Sequence, residues 1–457
     1  MHNIILNADS YKASHFLQYP PETTQVSSYI EARGGKFEKG LFFGLQMFIK
    51  EYLLKPLTAQ DVQEAQSIME AHGVPFNYEG WMQIVDKHGG FLPIEIQALP
   101  EGCVVPVQIA LVQVVNTDPE CAWLTSYVET ALLRAVWYPT TVATTSYYCR
   151  KVIQRFLDET ADDSTIIEFS LHDFGARGAA SQEAAAIGGA AHLVSFMGTD
   201  TISGILAARR YYGADMPGFS IPAAEHSTIT SWGRENEKLA YENMLKQFSG
   251  PGKILAVVSD SYDLWNAIDT IWGEELKAQI MESQGTLVIR PDSGEPVKIV
   301  VETVERLMRK FGYTVNGKGY RVLPEYVRVI QGDGVEQESI EAILTAMKAK
   351  QLSATNVAFG MGGALLQKLD RDTMKFAMKA SAAKVGGEWR DVYKDPITDR
   401  GKRSKKGRLA VVCNDGHYKT TRETDLDGQK NLLETVFKDG RLVKELTFDQ
   451  IRSNAKK

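Results

Sequence analysis

The sequence predicts an α/β protein: a run of strand–helix units through the middle of the chain, and a second, sheet-rich domain made from its two ends. Three observations predict it. Short, continuously apolar strands recur from residue 165 onward, each ending in polar residues. Segments with one apolar helical face separate them. Before and after this run the repeat is lost and isolated strand-like pieces take its place. Continuously apolar strands are buried on both faces, as in a parallel sheet covered by helices. An open doubly wound sheet and a closed barrel both fit. Repeated units without one glycine-rich fingerprint favour the barrel.

In chain order, Asp9-Ser10-Tyr11-Lys12 can cap a short helix. Phe42, Phe43, Leu45, Phe48, Ile49 and Leu53 have helical spacing. Phe91 to Asn116 alternates and is rich in Val and Ile, which reads as a strand pair around Leu99-Pro100-Glu101-Gly102. Cys121 to Phe156 reads as helix. The apolar strands then follow: Thr165–Ser170, Ile254–Val258, Thr286–Ile289, Val327–Ile330 and Asn356–Phe359. Val297, Val300, Val301, Val304, Leu307, Met308 and Phe311 share one helical face, as do Ile340, Ile343, Leu344 and Met347. Beyond residue 380, Leu409–Cys413 and Tyr418–Thr421 look like strands, and a last helix lies near Asp449. The expected domains are 1–160, the N-terminal part of the sheet-rich domain with helices; 161–380, the α/β barrel; and 381–457, which completes the sheet-rich domain.

Composition excludes several classes. With 51 Lys+Arg against 57 Asp+Glu the net charge is −6, so there is no global attraction to nucleic acid. The run Lys402-Arg403-Ser404-Lys405-Lys406-Gly407-Arg408 is the one local exception. The most apolar long stretch, Cys103 to Val115, is interrupted by Pro106, Gln108 and Gln113 and is too short to span a bilayer. Cys103, Cys121, Cys149 and Cys413 show no CxxC or zinc spacing and read as buried small residues. A reducing, cytoplasmic setting is expected, with no membrane and no nucleic-acid partner.

Ligands of parallel α/β folds bind at the carboxyl ends of the strands. Those ends carry Asp173, Asp260, Asp292, Asp333 and Arg290, with glycines between. Phe359-Gly360-Met361-Gly362-Gly363-Ala364 reads as a turn whose backbone N–H groups can face an anion. One Asp there is as readily a helix cap as a ligand. Several on neighbouring strands, with an arginine among them, suit a sugar-phosphate and Mg²⁺. His226 sits among small residues in Pro222-Ala223-Ala224-Glu225-His226-Ser227-Thr228, which leaves room for a ligand; His192, in an apolar helix, reads as structural, and His172 fits either role.

Nine motifs in sequence resemble the nicotinate/nicotinamide phosphoribosyltransferase family, on its nicotinamide-using side. They are Asp9-Ser10-Tyr11-Lys12, Tyr19-Pro20-Pro21, His172 to Gly178, Gly198 to Thr201, Pro222 to Thr230, Val258 to Asp263, Ile289 to Gly294, Ile330 to Gly334 and Lys402 to Leu409. The resemblance implies a type II phosphoribosyltransferase fold, an irregular α/β barrel plus a sheet-rich α+β domain formed by both chain ends. It implies transfer of phosphoribosyl from 5-phosphoribosyl-1-pyrophosphate to nicotinamide, giving nicotinamide mononucleotide and pyrophosphate in NAD salvage. Mg²⁺, ATP hydrolysis coupled through a phosphohistidine, and a homodimer with shared sites are implied with it.

By the same resemblance, Phe174 and a partner-supplied Tyr11 would sandwich the ring, and Asp200 would accept from its amide. Arg177, His226 and Arg290 would contact the diphosphate. Ser220, Asp292, Gly332 and Asp333 would line the ribose and pyridine end. Gly362, Gly363 and Arg371 would hold the 5′-phosphate, with Arg33, Lys379, Lys394 and Lys402 adding positive charge. Asp260 and Asp292 would form the Mg²⁺ side, and His226 would be the phosphoacceptor with Asp260 orienting it. Ala176, Met361, Ala364 and the short Gly34-Gly35-Lys36 loop depart from the family pattern. A nicotinate phosphoribosyltransferase on the same fold, which Asp200 would discriminate, and a non-catalytic interaction protein on the same scaffold are the rival readings.

Overall fold

The computed structural model describes residues 3–398 and 403–457. The chain forms two compact units: Met1–Thr144 with Ala207–Ala214 and Leu369–Lys457, and Thr145–Leu206 with Asp215–Lys368.

The unit holding both chain ends is built on a seven-stranded antiparallel sheet. Its order is Glu388–Asp391, Ala377–Val385, Thr23–Glu31, Val112–Asn116, Ile94–Ala98, Glu434–Lys438 and Arg441–Leu442. Strands from the C-terminal part thus flank strands from the N-terminal part on both sides, as the sequence predicts. Ile94–Ala98 and Val112–Asn116 are the predicted pair. Their connection is longer than the expected turn, because Val104–Pro106 leaves it to pair with Lys39–Leu41. Phe42 and Phe43 precede their helix instead of belonging to it. Gly44, at φ 107°, redirects the chain, and the helical turns run Leu45–Phe48 and Ile49–Leu53. A side chain at Gly44 would collide with the Pro139 ring, 2.3 Å from where its Cβ would lie.

The second unit carries six parallel strands in the order Gly198–Thr199, Leu171–Asp173, Val357–Met361, Val327–Gln331, Thr286–Arg290 and Ile254–Val258. Residues 219–224 join the two edges. Phe219 N–H donates to the Met197 carbonyl at 2.7 Å, and Thr199 N–H to the Phe219 carbonyl at 2.9 Å. On the other side, Ala256 N–H donates to the Pro222 carbonyl and Ala224 N–H to the Ala256 carbonyl, both at 2.9 Å. These bonds close the ring into an irregular barrel. Pro222 has no N–H, so the closing piece cannot be a regular ladder strand. Ala256, Val288 and Ile330 fill part of the interior, with Phe174, Ile221 and Ala358 packed on them. Outside, Pro296–Phe311 buries Val300, Val304, Leu307, Met308 and Phe311, and Gln337–Ala349 buries Ile340, Ile343, Leu344 and Met347.

Three expectations are corrected. Thr165–Phe169 is a 3₁₀ helix, and the strand is Leu171–Asp173. Ile166 and Phe169 remain 40% and 43% exposed, so its β-type composition finds no two-sided burial. The Ser10–Leu17 helix is 3₁₀, and Asp9 does not cap it through its side chain, which instead accepts from Thr130 Oγ1 at 2.7 Å. All four cysteines are free thiols, but only Cys121 and Cys149 are buried. Among the described residues no helix is long and apolar enough to cross a membrane.

Candidate active site at the strand ends

The predicted residues of the barrel gather at the carboxyl ends of its strands. Phe174 and Arg177 follow Leu171–Asp173, Asp200 follows Gly198–Thr199, and Ser220 lies on the closing segment. Asp260 follows Ile254–Val258, Arg290 ends Thr286–Arg290, and Asp292 follows it. Gly332 and Asp333 follow Val327–Gln331, and Gly362 and Gly363 follow Val357–Met361.

Each side chain is placed by a local device. Phe174 N–H donates to the Met361 carbonyl at 2.9 Å. Its ring lies over two glycines: a Cβ on Gly360 would meet Phe174 Cε2 at 2.0 Å, and one on Gly332 would meet it at 3.5 Å. Gly360 is therefore a strand residue that makes room for the ring, and not part of the turn; the strand runs on to Met361. Asp200 is exposed. Its N–H donates to the Asp173 carbonyl at 2.9 Å, and its carboxylate accepts from the Ser220 hydroxyl. Phe174, Asp200 and Ser220 thus pair an aromatic face with an oriented acceptor. Burial lowers the pKa of nearby His172, which keeps its imidazole neutral, although the Asp200 charge opposes that.

A second group surrounds His226. Its Nε2 lies 2.9 Å from Asp260 Oδ1, while Asp260 Oδ2 accepts the Asp292 N–H at 3.2 Å. Asp292 Oδ2 stands 3.9 Å from His226 Nδ1 and 3.6 Å from Arg290 Nη2, so it is near both without being consumed by either. Arg290 Nε, Ser261 Oγ and Gln331 Oε1 are buried without hydrogen-bond partners, all at strand ends. Buried polar atoms are normally paired, so orphans gathered here mark where a polar ligand is expected. Gln331 Nε2 donates to the Asp333 carbonyl at 2.7 Å and fixes the Gly332–Asp333 turn. Sequence reading placed Gly360 only in the glycine-rich turn, named Gln331 and Ser261 only within strand-end motifs, and took Asp173 only as one strand-end carboxylate among several. A polar residue closing an apolar strand was the available signal for Gln331. His192, fully buried between Ser146 Oγ at 2.9 Å and the Gly198 carbonyl at 3.1 Å, is structural.

The remaining predicted residues belong to the other unit. Tyr11 is 58% exposed on the Ser10–Leu17 helix. That helix is anchored by the Lys12–Glu129 ion pair, Asp9 with Thr130, and His15 with Ser126 at 3.3 Å. Lys379 is half-buried. Burial lowers its pKa, Glu129 opposes the shift, and Lys394, Arg33 and Arg371 lower it further, so four cations share one field. Lys402 lies outside the described residues. Each described cation of its run faces a carboxylate: Arg403 with Asp395 at 2.7 Å, Lys405 with Glu31, Lys406 with Asp391 at 4.0 Å and Arg408 with Glu423 at 3.1 Å.

The family model described as the nicotinate phosphoribosyltransferase (NAPRTase) family matches residues 169–441. The chain belongs to that family. A model of the nicotinamide phosphoribosyltransferase N-terminal domain matches residues 3–96. A Xanthomonas campestris protein named nicotinamide phosphoribosyltransferase is 53% identical over 99% of this chain and 98% of its own. An Acinetobacter baylyi protein of the same name is 33% identical over 98% of this chain and 96% of its own. Among solved structures, a Pyrococcus furiosus nicotinate-nucleotide pyrophosphorylase superposes with TM-score 0.63 at 16% identity, covering 99% of this chain and 95% of its own. Human nicotinic acid phosphoribosyltransferase gives 0.57 at 17%, covering 98% and 92%. The fold is that of the type II phosphoribosyltransferases.

Proposed function

We propose that this family member is a nicotinamide phosphoribosyltransferase, a pentosyltransferase of NAD salvage that uses 5-phosphoribosyl-1-pyrophosphate. The observation that carries the reading is the pairing of an aromatic face at Phe174 with a carboxylate at Asp200 held by Ser220. An ionised carboxylate only accepts hydrogen bonds, so it suits the NH₂ of an amide and repels the carboxylate of nicotinate. The full-length relatives carry the same name.

The pyridine nitrogen already has a lone pair, so attack on C1 of the ribose needs no general base. The barrier is charge at C1, in an oxocarbenium-like transition state as in glycoside cleavage. Phe174 orients the ring, and Asp200 fixes its rotation through the amide. Arg290, Arg177 and His226 meet the leaving pyrophosphate; the unpartnered Arg290 Nε is a donor ready for it. Ser220, Gly332 and Asp333 border the ring and ribose, and Gly362 and Gly363 take the 5′-phosphate. The chemistry of the four-cation group of Arg33, Arg371, Lys379 and Lys394 fits phosphate oxygens as well.

Mg²⁺ fits these residues in one particular way. Both oxygens of Asp260 are engaged, and among the described residues no three His, Cys, Asp or Glu side chains form a metal cage. Asp292, loosely contacted, and Asp260 would therefore hold Mg²⁺ through its waters and the substrate's phosphates. When bound, Mg²⁺ neutralises charge on the departing pyrophosphate. ATP coupling would run through His226: Asp260 holds Nε2, which leaves Nδ1 to take a phosphoryl group. A cytoplasmic homodimer, with Tyr11 of one subunit closing the ring site of the other, completes the proposal.

The test is mononucleotide formation by the purified protein with 5-phosphoribosyl-1-pyrophosphate, Mg²⁺ and ATP. Nicotinamide should be used with kcat/KM at least about a hundredfold above nicotinate, the scale of one lost hydrogen bond to a charged group. Equal or reversed preference overturns the amide reading, and no mononucleotide from either base favours the non-catalytic rival.

A further inference from the structure

Directly behind the aromatic face and the acceptor lies a carboxylate to which the proposed mechanism gives no task. Asp173 ends its strand fully buried. Its Oδ1 accepts the Gly175 N–H at 2.7 Å, and its main-chain carbonyl accepts the Asp200 N–H. Its Oδ2 is buried beside Thr201 Oγ1, close enough to feel that hydroxyl but without a well-aligned hydrogen bond to it or to any other group. The backbone of the neighbouring helices comes close here: a Cβ on Gly189 would lie 2.9 Å from Thr201 Cγ2 and 3.4 Å from Asp173 Oδ2.

For stability alone this is a poor choice of residue. An asparagine would keep the acceptor for Gly175, and its NH₂ would have Thr201 Oγ1 as a partner, without the cost of a buried charge. Burial pushes the Asp173 carboxyl up to about 6, the Gly175 and Thr201 contacts oppose that, and the Asp200 charge adds to it. The two carboxylates therefore feel each other. At neutral pH Asp173 is mostly ionised, and its field acts through protein rather than through water.

We propose that Asp173 is a specificity-determining residue. It places a second negative charge behind the ring pocket and, with Asp200, disfavours pyridine ligands that carry a carboxylate. Asp200 acts by contact and Asp173 by field. This inference rests on the reading of the pocket as a nicotinamide site. It goes beyond that reading in assigning part of the selectivity to a residue that does not touch the ring.

The test is Asp173→Asn in the full-length protein, which removes the charge and retains the Gly175 acceptor. Dissociation constants for nicotinamide and for nicotinate are measured by calorimetry at pH 7.5 and low salt, beside the kcat/KM ratio for the two bases. The expected result is a shift of roughly threefold to tenfold toward nicotinate in both ratios, the size of one like charge removed at intermediate distance. Thermal denaturation of the variant should show a Tm no lower than wild type. An unchanged ratio, or one that moves only because nicotinamide binding weakens, overturns the proposal and leaves Asp173 a structural cap for Gly175. The wild-type protein's own mononucleotide formation, run in parallel, tests the underlying reading separately.

Discussion

The two units place their polar residues by opposite means. In the barrel the polar site side chains around the ring are mostly short, stand at the ends of parallel strands, and are fixed locally: the Asp200 carboxylate by Ser220 and its backbone by the Asp173 carbonyl, His226 by Asp260. In the unit made from the chain ends the cations are long, and most of the described ones face carboxylates, Arg33 with Glu31 and Arg371 with Asp372 included; Lys379 shares a positive field with these two and Lys394. Fixed short groups suit recognition of a small flat ring. Long cations suit phosphate, which tolerates many approach directions.

The largest expected effect comes from disturbing the fixed region. Gly360→Ala puts a methyl where Phe174 now lies. The ring must move, so KM for nicotinamide should rise by more than about tenfold, about 1.4 kcal/mol or more, while KM for 5-phosphoribosyl-1-pyrophosphate changes little. Steady-state kinetics with each substrate varied reads this, and equal changes in both values would erase the distinction between the units. A smaller effect is expected from the adaptable region. Lys379→Met keeps the packing and removes one of four cations. KM for 5-phosphoribosyl-1-pyrophosphate should rise roughly threefold to tenfold, with a flatter dependence on salt. A change in nicotinamide KM alone would contradict that role.

A separate effect falls on stability and not on substrate binding. The Asp173 carboxyl is raised to about 6 in the fold from 3.8. Between those values the folded protein holds a proton that the unfolded chain has lost, so this group's contribution falls as pH rises from about 4 to 6. Asp173→Asn removes that loss. The difference in unfolding free energy between variant and wild type should therefore grow with pH across this window, by up to about 2 kcal/mol. Groups that do not feel the Asp173 charge are the same in both proteins and cancel in the difference. Denaturant melts at pH 4.5 and 7 measure it, and a pH-independent difference would show that the carboxyl is not perturbed.

Much of this was legible in the sequence. Ile254–Val258 and Thr286–Arg290 are unbroken apolar runs, and burial on both faces is the physical reason such runs exist. Strand ends then pointed to the site, because parallel strands all deliver their following loops to one side. What escaped reading depends on neighbours distant in sequence. Gly360 matters because of the ring of Phe174, nearly two hundred positions away, and resembles any glycine of a turn. The closing segment 219–224 contains Pro222 and bonds through a few residues, so no periodicity announces it. Thr165–Phe169 has strand composition yet coils into a 3₁₀ turn, because the register position belongs to Leu171. The basic run from residue 402 looked free and is ion-paired where it is described, since its carboxylates Glu31, Asp391, Asp395 and Glu423 come from scattered parts of the chain.

The most direct measurement is a crystal structure of the protein soaked with nicotinamide. The pyridine ring is expected flat against Phe174, with the amide nitrogen within hydrogen-bonding distance of Asp200, about 3 Å. A ring bound elsewhere, or bound with Phe174 and Asp200 turned away from it, would contradict the account.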